Sequence, residues 1–280
     1  MKNKKRKNRA KISEETLKII EDGFYEIDGK KNKLSKLVNA SIESTFLLTP
    51  TDALNPIVPT DKSTIIEVVN ETTLQSAKRL NDGQKYKKIA VLNFASAKNA
   101  GGGFLGGSQA QEESLARNSA LYVSLESQPE YYHYHRVNKS LLYSNHIIYS
   151  PNCPVFRFDE GELLNEPYLV DFITSPAPNR GAIENNQSHF IEQIDEVFQE
   201  RIARVLRLAV AQGCDALVLG AWGCGVFRNN PQKVAEFFGK VLLNDSEFTH
   251  AFEYVSFSIP EHKKNPVNSL AFEKVFYAYE

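Results

Sequence analysis

Cysteine is scarce in this chain, and long apolar runs are absent from it. Its 280 residues include three cysteines, Cys153, Cys214 and Cys224, and no CxxC pair. Three cysteines form neither a disulfide framework nor a paired zinc motif, and such usage is typical of a reducing compartment. No apolar run approaches the roughly 20 residues that a membrane-spanning helix needs. The sequence therefore predicts an intracellular protein without a membrane partner, cytoplasmic, or nuclear if the cell is eukaryotic.

Net charge is nearly absent as well. The 33 Lys and Arg residues are balanced by 34 Asp and Glu residues, which leaves a net charge of −1. A basic field over the whole protein is therefore excluded, and we expect no specific nucleic-acid binding. The 42% of apolar residues can build a sizeable core, which excludes a disordered chain. This length predicts one large domain, or one domain with an extension.

Basic residues are concentrated at the N-terminus, where seven of the first eleven residues are Lys or Arg. A capped amphipathic helix is predicted from about Ser13, in the place where a secretory signal would have its apolar segment. A solvated, partly disordered arm is the favoured interpretation of the basic run. Contact with nucleic acid or with a polyanionic substrate, and an import signal, are the alternatives.

The sequence pattern changes at about residue 62. Residues 1–62 are predicted to form a basic arm and a helical extension, since Pro50, Pro56 and Pro59 interrupt regular structure near its end. Residues 63–280 alternate strands with helices, which indicates an α/β domain of three layers, α/β/α, with a mixed sheet. The predicted strands are 64–69, 88–94, 147–149, 168–173, 216–219 and 252–259, and the main predicted helices are 72–80, 111–126, 190–212 and 232–243.

Two glycine-rich segments each follow a predicted strand. The first glycine loop, 101–107, holds five glycines and leads to Gln111, Glu112 and Glu113, and the second glycine loop, 220–227, holds three. Such loops let backbone N–H groups approach a phosphate, and ligands of α/β sheets lie at the carboxyl ends of strands. Neither loop matches GxxxxGK[ST]. Residues 101–106 fit GxGxxG in letters but do not directly follow the predicted strand 88–94, which argues against standard nucleotide triphosphate or dinucleotide binding. The two loops together predict an elongated, phosphate-bearing ligand.

Each loop also has a purely structural explanation. Carboxylates in the first turn of a helix are stabilised by its dipole, so the two glutamates alone do not establish catalysis. The second loop fits a close-packed turn equally well, with Trp222 and Phe227 as core residues.

No metal site is predicted. His133, His135 and His146 have no carboxylate or cysteine at a recognisable ligand spacing, so an aromatic surface or rim segment is favoured over a zinc site. Cys224 has no obvious base nearby in sequence, which favours a small residue between two backbone segments over a thiol nucleophile.

The residues of the two loops match a known family. Gly-Gly-Gly at 101–103, then seven residues, then Gln-Glu-Glu at 111–113 resembles the signature of poly(ADP-ribose) glycohydrolases. The second glycine loop is similar to the diphosphate loop of the macrodomain fold, and the run 91–116 looks like the microbial short form of the enzyme. Thr16 in a helix, with 23–25 after it, fits the accessory extension of that group. The resemblance spans about residues 8–280 and implies a macrodomain-like catalytic domain without cofactor or metal.

The resemblance also implies the site residues. Glu113 and Glu112 are the implied catalytic residues: Glu113 protonates the leaving ribose hydroxyl and then deprotonates the attacking water, and Glu112 positions the riboses together with Gln111. The remaining binding residues are Asn99 at the ribose, Gly101, Gly102 and Gly103 at the distal ribose and diphosphate, Gly223, Cys224, Gly225 and Val226 around the diphosphate, and Phe227 on the terminal ribose.

The implied reaction is hydrolysis of the ribose–ribose O-glycosidic bonds of poly(ADP-ribose). The cap that Phe227 forms implies attack from chain ends with release of ADP-ribose, and ADP-ribosylated proteins are the implied carriers. A macrodomain that binds ADP-ribose without cleaving it is the first alternative, against which Gln-Glu-Glu argues because a binding module needs no acid. The second alternative is a hydrolase of another ADP-ribose derivative. A product assay with a defined linkage distinguishes such an enzyme from a poly(ADP-ribose) glycohydrolase.

Overall fold

The computed structural model describes residues 2–57, 63–261 and 264–277. The domain boundary predicted at residue 62, with Pro59, lies outside the described residues. The strands are β1 Phe24–Ile27, β2 Lys30–Lys33, β3 Phe46–Leu48, β4 Ile65–Val69, β5 Ile89–Phe94, β6 Ile147–Arg157, β7 Leu163–Ser175, β8 Ala216–Leu219 and β9 Tyr254–Ser258. The helices are α1 Lys2–Asp22, α2 Ser35–Ser44, α3 Thr73–Asp82, α4 Gln111–Asn118, α5 Leu121–Glu126, α6 Pro129–Val137, α7 Arg180–Asn186, α8 Ile194–Ala211, α9 Pro231–Asn244 and α10 Val267–Phe276.

Seven of the strands form one mixed sheet in the order β3-β6-β7-β5-β8-β9-β4. The pairs β3/β6 and β6/β7 are antiparallel, and the pairs from β7 through β5, β8 and β9 to β4 are parallel. The parallel strands therefore share one carboxyl edge. β1 and β2 form a separate antiparallel hairpin.

The central strand β5 is buried on both faces. Ala90 and Leu92 belong to the hydrophobic cluster that includes α8 and α9, whereas Ile89 and Val91 belong to the cluster that includes α3 and α5. Side chains alternate along a strand, so a strand covered by helices on both faces has a nearly continuous apolar sequence. This arrangement confirms the predicted three-layer α/β fold with a mixed sheet.

The basic N-terminus is helical, which corrects the favoured interpretation of a partly disordered arm. α1 begins at Lys2, eleven residues before the predicted start at Ser13. Its side chains hydrogen-bond the first glycine loop: Arg6 to the carbonyl of Gly106, Arg9 to that of Gly107, and Ser13 to that of Phe104. Local propensity alone misses these contacts, because most helical stability in proteins comes from tertiary packing.

Two further elements differ from the sequence prediction. The predicted helix 111–126 is interrupted between α4 and α5, where Ser119 bridges to Val155 and the N–H of Ala120 bonds the carbonyl of Pro154. Residues 34–49, which show no clear period, form α2 and β3. Within the described ranges, no helix is long and apolar enough to span a membrane.

Candidate active site

A cleft of about 650 Å³ opens at the carboxyl edge of the parallel strands. Phe94 ends β5, Ala221 follows β8, and Ser258 ends β9, and all three line the cleft. The N-terminus of α4 and the second glycine loop supply the two long walls. The position agrees with the general rule for open α/β sheets.

Glu113 lies in the first turn of α4 and faces the cleft. Its Oε1 accepts a hydrogen bond of 3.0 Å from the backbone N–H of Gly103. Gly102 lies against the same carboxylate, because a Cβ added there would stand 2.6 Å from Oε1, and its φ of +58° is one that side-chain-bearing residues rarely adopt. The triple glycine therefore serves as a close-fitting support for this carboxylate.

Glu112 has a different environment from its neighbour. Its side chain is buried, and it accepts hydrogen bonds from the side-chain amide of Asn93 (3.2 Å) and from the N–H of Ser96 (2.7 Å). Burial raises the pKa of Glu112 to about 8, which keeps this carboxyl largely protonated at neutral pH. Adjacent helical residues point in directions about 100° apart, so one carboxyl faces the cleft while the other is enclosed by protein.

Gln111 attaches α4 to the central strand. Its Oε1 accepts from the N–H of Phe94 (2.9 Å), and its Nε2 donates to the carbonyl of Leu92 (2.7 Å) and to Thr73 Oγ1 (3.3 Å). The pairing of β5 with β8 ends at Val91, so the side-chain amide of Gln111 bonds the strand backbone beyond that pairing. These bonds fix the start of the helix that carries both glutamates.

The second glycine loop is held in shape by one buried side chain. Asn229 Nδ2 donates to the carbonyls of Pro178 (2.9 Å) and Gly223 (3.1 Å). The backbone N–H groups of Gly225, Val226 and Phe227 make no hydrogen bond to any residue that the structure describes. Successive unpaired N–H groups at the edge of a cleft are suited to an anion.

The predicted site residues divide into two groups. The cleft is lined by Gln111, Glu112, Glu113, Gly223, Gly225, Val226 and Phe227, and it is not lined by Asn99, Gly101, Gly102, Gly103 or Cys224. Cys224 packs against the hydrophobic core, where burial raises the pKa of its thiol to about 12. Such a thiol is no nucleophile at neutral pH, which agrees with a small residue between two backbone segments.

Asp159 is a cleft residue that sequence reasoning missed. Its carboxylate accepts hydrogen bonds from the hydroxyls of Thr72 and Ser114, and burial raises its pKa. It lies in the turn between β6 and β7, near α3 and α4 only in the folded chain. No motif around residue 159 signals this position.

The histidine segment is only partly a surface segment. His133 on α6 is exposed, but His135 is buried, as are Tyr131 and Tyr132 beside it. Ser144 Oγ lies within hydrogen-bond distance of His135 Nε2 (2.8 Å) and of His146 Nδ1 (2.7 Å). Within the described residues no group of three His, Cys, Asp or Glu side chains could hold a metal ion.

Comparison with known proteins identifies the family. The model of the microbial-type PARG catalytic domain matches residues 13–158. Poly(ADP-ribose) glycohydrolase from Thermomonospora curvata is 43% identical, with a TM-score of 0.88 over 96% of this chain and 99% of that one. The enzyme from Deinococcus radiodurans, solved in complex with ADP-ribose, is 38% identical, with a TM-score of 0.79 over 91% of this chain and 99% of that one. A search of curated proteins found no match.

The match confirms the resemblance that the Gly-Gly-Gly and Gln-Glu-Glu segments carry. The chain belongs to the microbial-type poly(ADP-ribose) glycohydrolases, a family of glycoside hydrolases.

Proposed function

We propose that Glu113 is the acid and base with which this chain hydrolyses poly(ADP-ribose). One observation carries the proposal: the carboxylate of Glu113 lines the cleft and accepts a hydrogen bond from Gly103 of the first glycine loop, whereas the side chain of Glu112, although it also lines the cleft, is buried. Glu112 is enclosed and bonded to Asn93 and Ser96, so it supports the site from behind.

Glycoside hydrolysis passes through an oxocarbenium-like transition state and needs a proton for the leaving oxygen and an activated water. Glu113 protonates the leaving ribose hydroxyl as the bond from that oxygen to the anomeric carbon breaks. The resulting carboxylate then removes a proton from the water that attacks the same carbon. Glu113 ends the cycle protonated again, and both roles lie within reach of one flexible carboxyl.

We infer that ADP-ribose binds between the two walls of the cleft. The Deinococcus radiodurans relative was solved with ADP-ribose, and the Thermomonospora curvata relative with the inhibitor ADP-HPD. In this chain the unpaired N–H groups of Gly225, Val226 and Phe227 bind the diphosphate, while Gly223 and Cys224 shape the same turn. On the other wall, Gln111 positions the distal ribose. Asn99 and the adjoining glycines Gly101, Gly102 and Gly103 act on the same ribose through the backbone.

Phe227 lines the cleft, and a cap formed by its ring on the terminal ribose favours cleavage from chain ends. Its ring is half-buried and lies 6.0 Å from the ring of Tyr143, which limits its movement. A terminal ribose stacked on this ring leaves no route for a polymer to continue past it. The product is ADP-ribose, and ADP-ribosylated proteins in the cytoplasm carry the polymer. The three unpaired cysteines support such a compartment.

The test compares wild type, Glu113→Gln and Glu112→Gln for release of ADP-ribose from purified poly(ADP-ribose), with calorimetric binding of ADP-ribose to each. Glu113→Gln keeps the shape of the side chain but can neither donate nor accept the transferred proton. Release of ADP-ribose should therefore fall by about 10²–10⁴-fold while binding of ADP-ribose persists. Glu112→Gln, which replaces a largely neutral buried carboxyl with a neutral amide, should lose less than about tenfold. Release by Glu113→Gln at a tenth of the wild-type rate or more would overturn the assignment, and binding without release by wild type would leave a binding module.

A further inference from the structure

We infer that the basic face of α1 binds the part of the polymer that leaves, on the far side of the scissile bond from the terminal ADP-ribose. The name basic face denotes the surface of the first three turns of α1, around which Lys4, Lys5, Arg6, Lys7, Arg9 and Lys11 are distributed. The ligand is the diphosphate of the adjacent polymer unit. This inference rests on the proposed function, since it takes Glu113 to mark the side from which the leaving hydroxyl departs.

The positive charge of this face is not neutralised by the protein. Residues 2–11 include seven Lys or Arg and no Asp or Glu. Lys4, Lys5 and Lys7 are exposed, and their side chains make no hydrogen bond or ion pair within the described part of the chain. The next acidic residues are Glu14 and Glu15, and Glu15 is paired with Arg157 at 3.3 Å. In a protein of net charge −1, so local a concentration of charge attracts an anion.

Two arginines of this face are fixed on the first glycine loop. Arg6 Nε donates to the carbonyl of Gly106 at 2.8 Å, and Arg9 Nε donates to that of Gly107 at 2.9 Å. Residues three apart lie on the same side of a helix, so the two guanidinium groups are neighbours. Their Nη atoms make no hydrogen bond to any described residue. A guanidinium held through Nε presents its remaining N–H groups to a phosphate in an ordered fork.

The same loop connects these arginines to the site. Gly103, three residues before Gly106, donates to Glu113, and Gln109, two residues after Gly107, lines the cleft. The buried Arg117 bonds the carbonyl of Ser108 (3.1 Å) and Gln109 Oε1 (2.6 Å), which fixes the intervening chain. Arg6 and Arg9 are therefore connected to the cleft through the first glycine loop.

Arg9 and Arg117 add their charges at this border. Burial, followed by the charge of Arg9, lowers the pKa of Arg117 to about 10, as expected for two cations near one another. A bound diphosphate would relieve this repulsion.

The substrate itself brings an anion to this place. With a terminal ADP-ribose in the cleft, the leaving hydroxyl must lie within hydrogen-bond reach of Glu113, and that hydroxyl belongs to the next unit of the polymer. The diphosphate of that unit is covalently tied to the hydroxyl and therefore lies just outside the cleft. A polymer, unlike an unrelated nucleic acid, is thus brought to the basic face by the reaction that the cleft performs.

The test uses the full chain with Lys4, Lys5 and Lys7 all changed to Gln, which removes charge and keeps helix propensity. The matched control changes Lys36, Lys85 and Lys87 to Gln. These exposed lysines lie away from the basic face, and two of them precede β5, at the end opposite the cleft. Arg6→Gln forms a separate arm. Each protein is assayed for KM and kcat on long poly(ADP-ribose) at low and high salt, and for calorimetric affinity toward free ADP-ribose.

The triple variant should raise the KM for the polymer about 5–20-fold at low salt and weaken its salt dependence, because fewer counterions are released on binding. Its kcat and its affinity for ADP-ribose should stay within about twofold of wild type, and the control should match wild type throughout. Arg6→Gln should also raise KM; a fall in kcat with unchanged KM would show that Arg6 only holds the loop.

Equal KM values for the triple variant and the control overturn the inference. A second result would also overturn it: the triple variant keeps wild-type polymer kinetics but loses binding of single-stranded DNA in a mobility-shift assay. The partner of the basic face would then be a nucleic acid. Neither result depends on Glu113→Gln, whose retained activity would instead overturn the proposed function.

Discussion

The backbone N–H of Gly103 and the carboxylate of Glu113 are joined by a hydrogen bond of 3.0 Å beside the cleft. A backbone donor fixes a carboxylate more firmly than a flexible side chain does, because the donor has no rotamers of its own. The positive φ of Gly101 and Gly102 brings this N–H into place, and α1 supports the loop from behind. The geometry of catalysis thus depends on a loop that is rigid although it is rich in glycine.

Gly102→Ala should disable the enzyme by displacing Glu113. The new Cβ would stand 2.6 Å from Oε1, and a misplacement of about 1 Å can cost roughly 10²-fold in rate. The control is Gly29→Ala in the turn between β1 and β2, where φ is +79° and nothing lies within 4 Å of the added atom. Both variants should carry backbone strain of about 1–2 kcal/mol, and urea unfolding measures the resulting loss of stability. Equal polymer-hydrolysis rates for the two would contradict this role of Gly102.

Glu112 should make the folded protein less stable as pH rises. Because burial raises its pKa from 4.5 to about 8, the folded state keeps a proton that the unfolded chain releases between those values. The stability gained is full below pH 4.5 and is lost as pH rises through 8. The free energy of unfolding of wild type relative to Glu112→Gln should therefore fall from pH 5 to pH 8.

Urea unfolding across this range measures the difference. Glu43→Gln, at an exposed side chain on α2, is the control and should keep a constant difference from wild type. Parallel stability curves for wild type and Glu112→Gln would show that Glu112 is already ionised in the folded protein.

Substitutions of Phe227 and Val226 should have different effects on KM, although the two residues are neighbours in sequence. The side chain of Val226 is 83% exposed, so Val226→Ala keeps the backbone N–H that we assign to the diphosphate and should change KM less than about twofold. Phe227→Ala removes the cap on the terminal ribose and should raise KM about tenfold. It should also release short oligomers beside ADP-ribose, which chromatography of the products detects. Products from Phe227→Ala that are ADP-ribose alone would argue against the cap as the cause of end cleavage.

Arg201 should be the most costly of the buried cations to remove. It donates to Asn145 Oδ1 (2.9 Å), to the carbonyl of Pro176 (2.6 Å) and to that of Leu142 (3.1 Å). Arg201→Met leaves three acceptors without a donor and should cost about 3 kcal/mol or more of unfolding free energy in urea. Arg180→Met, which removes a surface pairing with Glu184, should cost under about 1 kcal/mol. Similar losses of unfolding free energy for Arg201→Met and Arg180→Met would mean that water replaces the buried guanidinium as hydrogen-bond donor.

The sequence predicted most of the elements that determine the site. An apolar run located β5, helical periods located α8 and α9, and clustered glycines located the two glycine loops. Each of these features follows from a local pattern in the sequence. The strand β6 was predicted only as far as Tyr149, since Pro151 and Pro154 suggest an end. Asn152, at a φ of +47°, lies in an irregularity between Ser150 and Cys153 that lets β6 continue against β7.

Contacts between distant segments could not be predicted from local pattern. The bonds from Gln111 to β5 depend on where β8 ends, and the approach of Asp159 to Thr72 depends on the turn after β6. The helical state of residues 2–12 depends on the carbonyls of the first glycine loop, about 100 residues away in sequence. The motifs identify which side chains carry the chemistry, whereas these long-range contacts determine where those side chains lie.

The role of Glu113 is tested most directly with a substrate that needs neither a proton donor nor a base. An aryl ADP-riboside with an acidic phenol leaves without protonation, and azide attacks without deprotonation. We predict that Glu113→Gln, about 10²–10⁴-fold slower than wild type on poly(ADP-ribose), recovers to within about tenfold of wild type on the aryl substrate with azide. An equal loss on both substrates, with ADP-ribose affinity intact, would contradict proton transfer by Glu113.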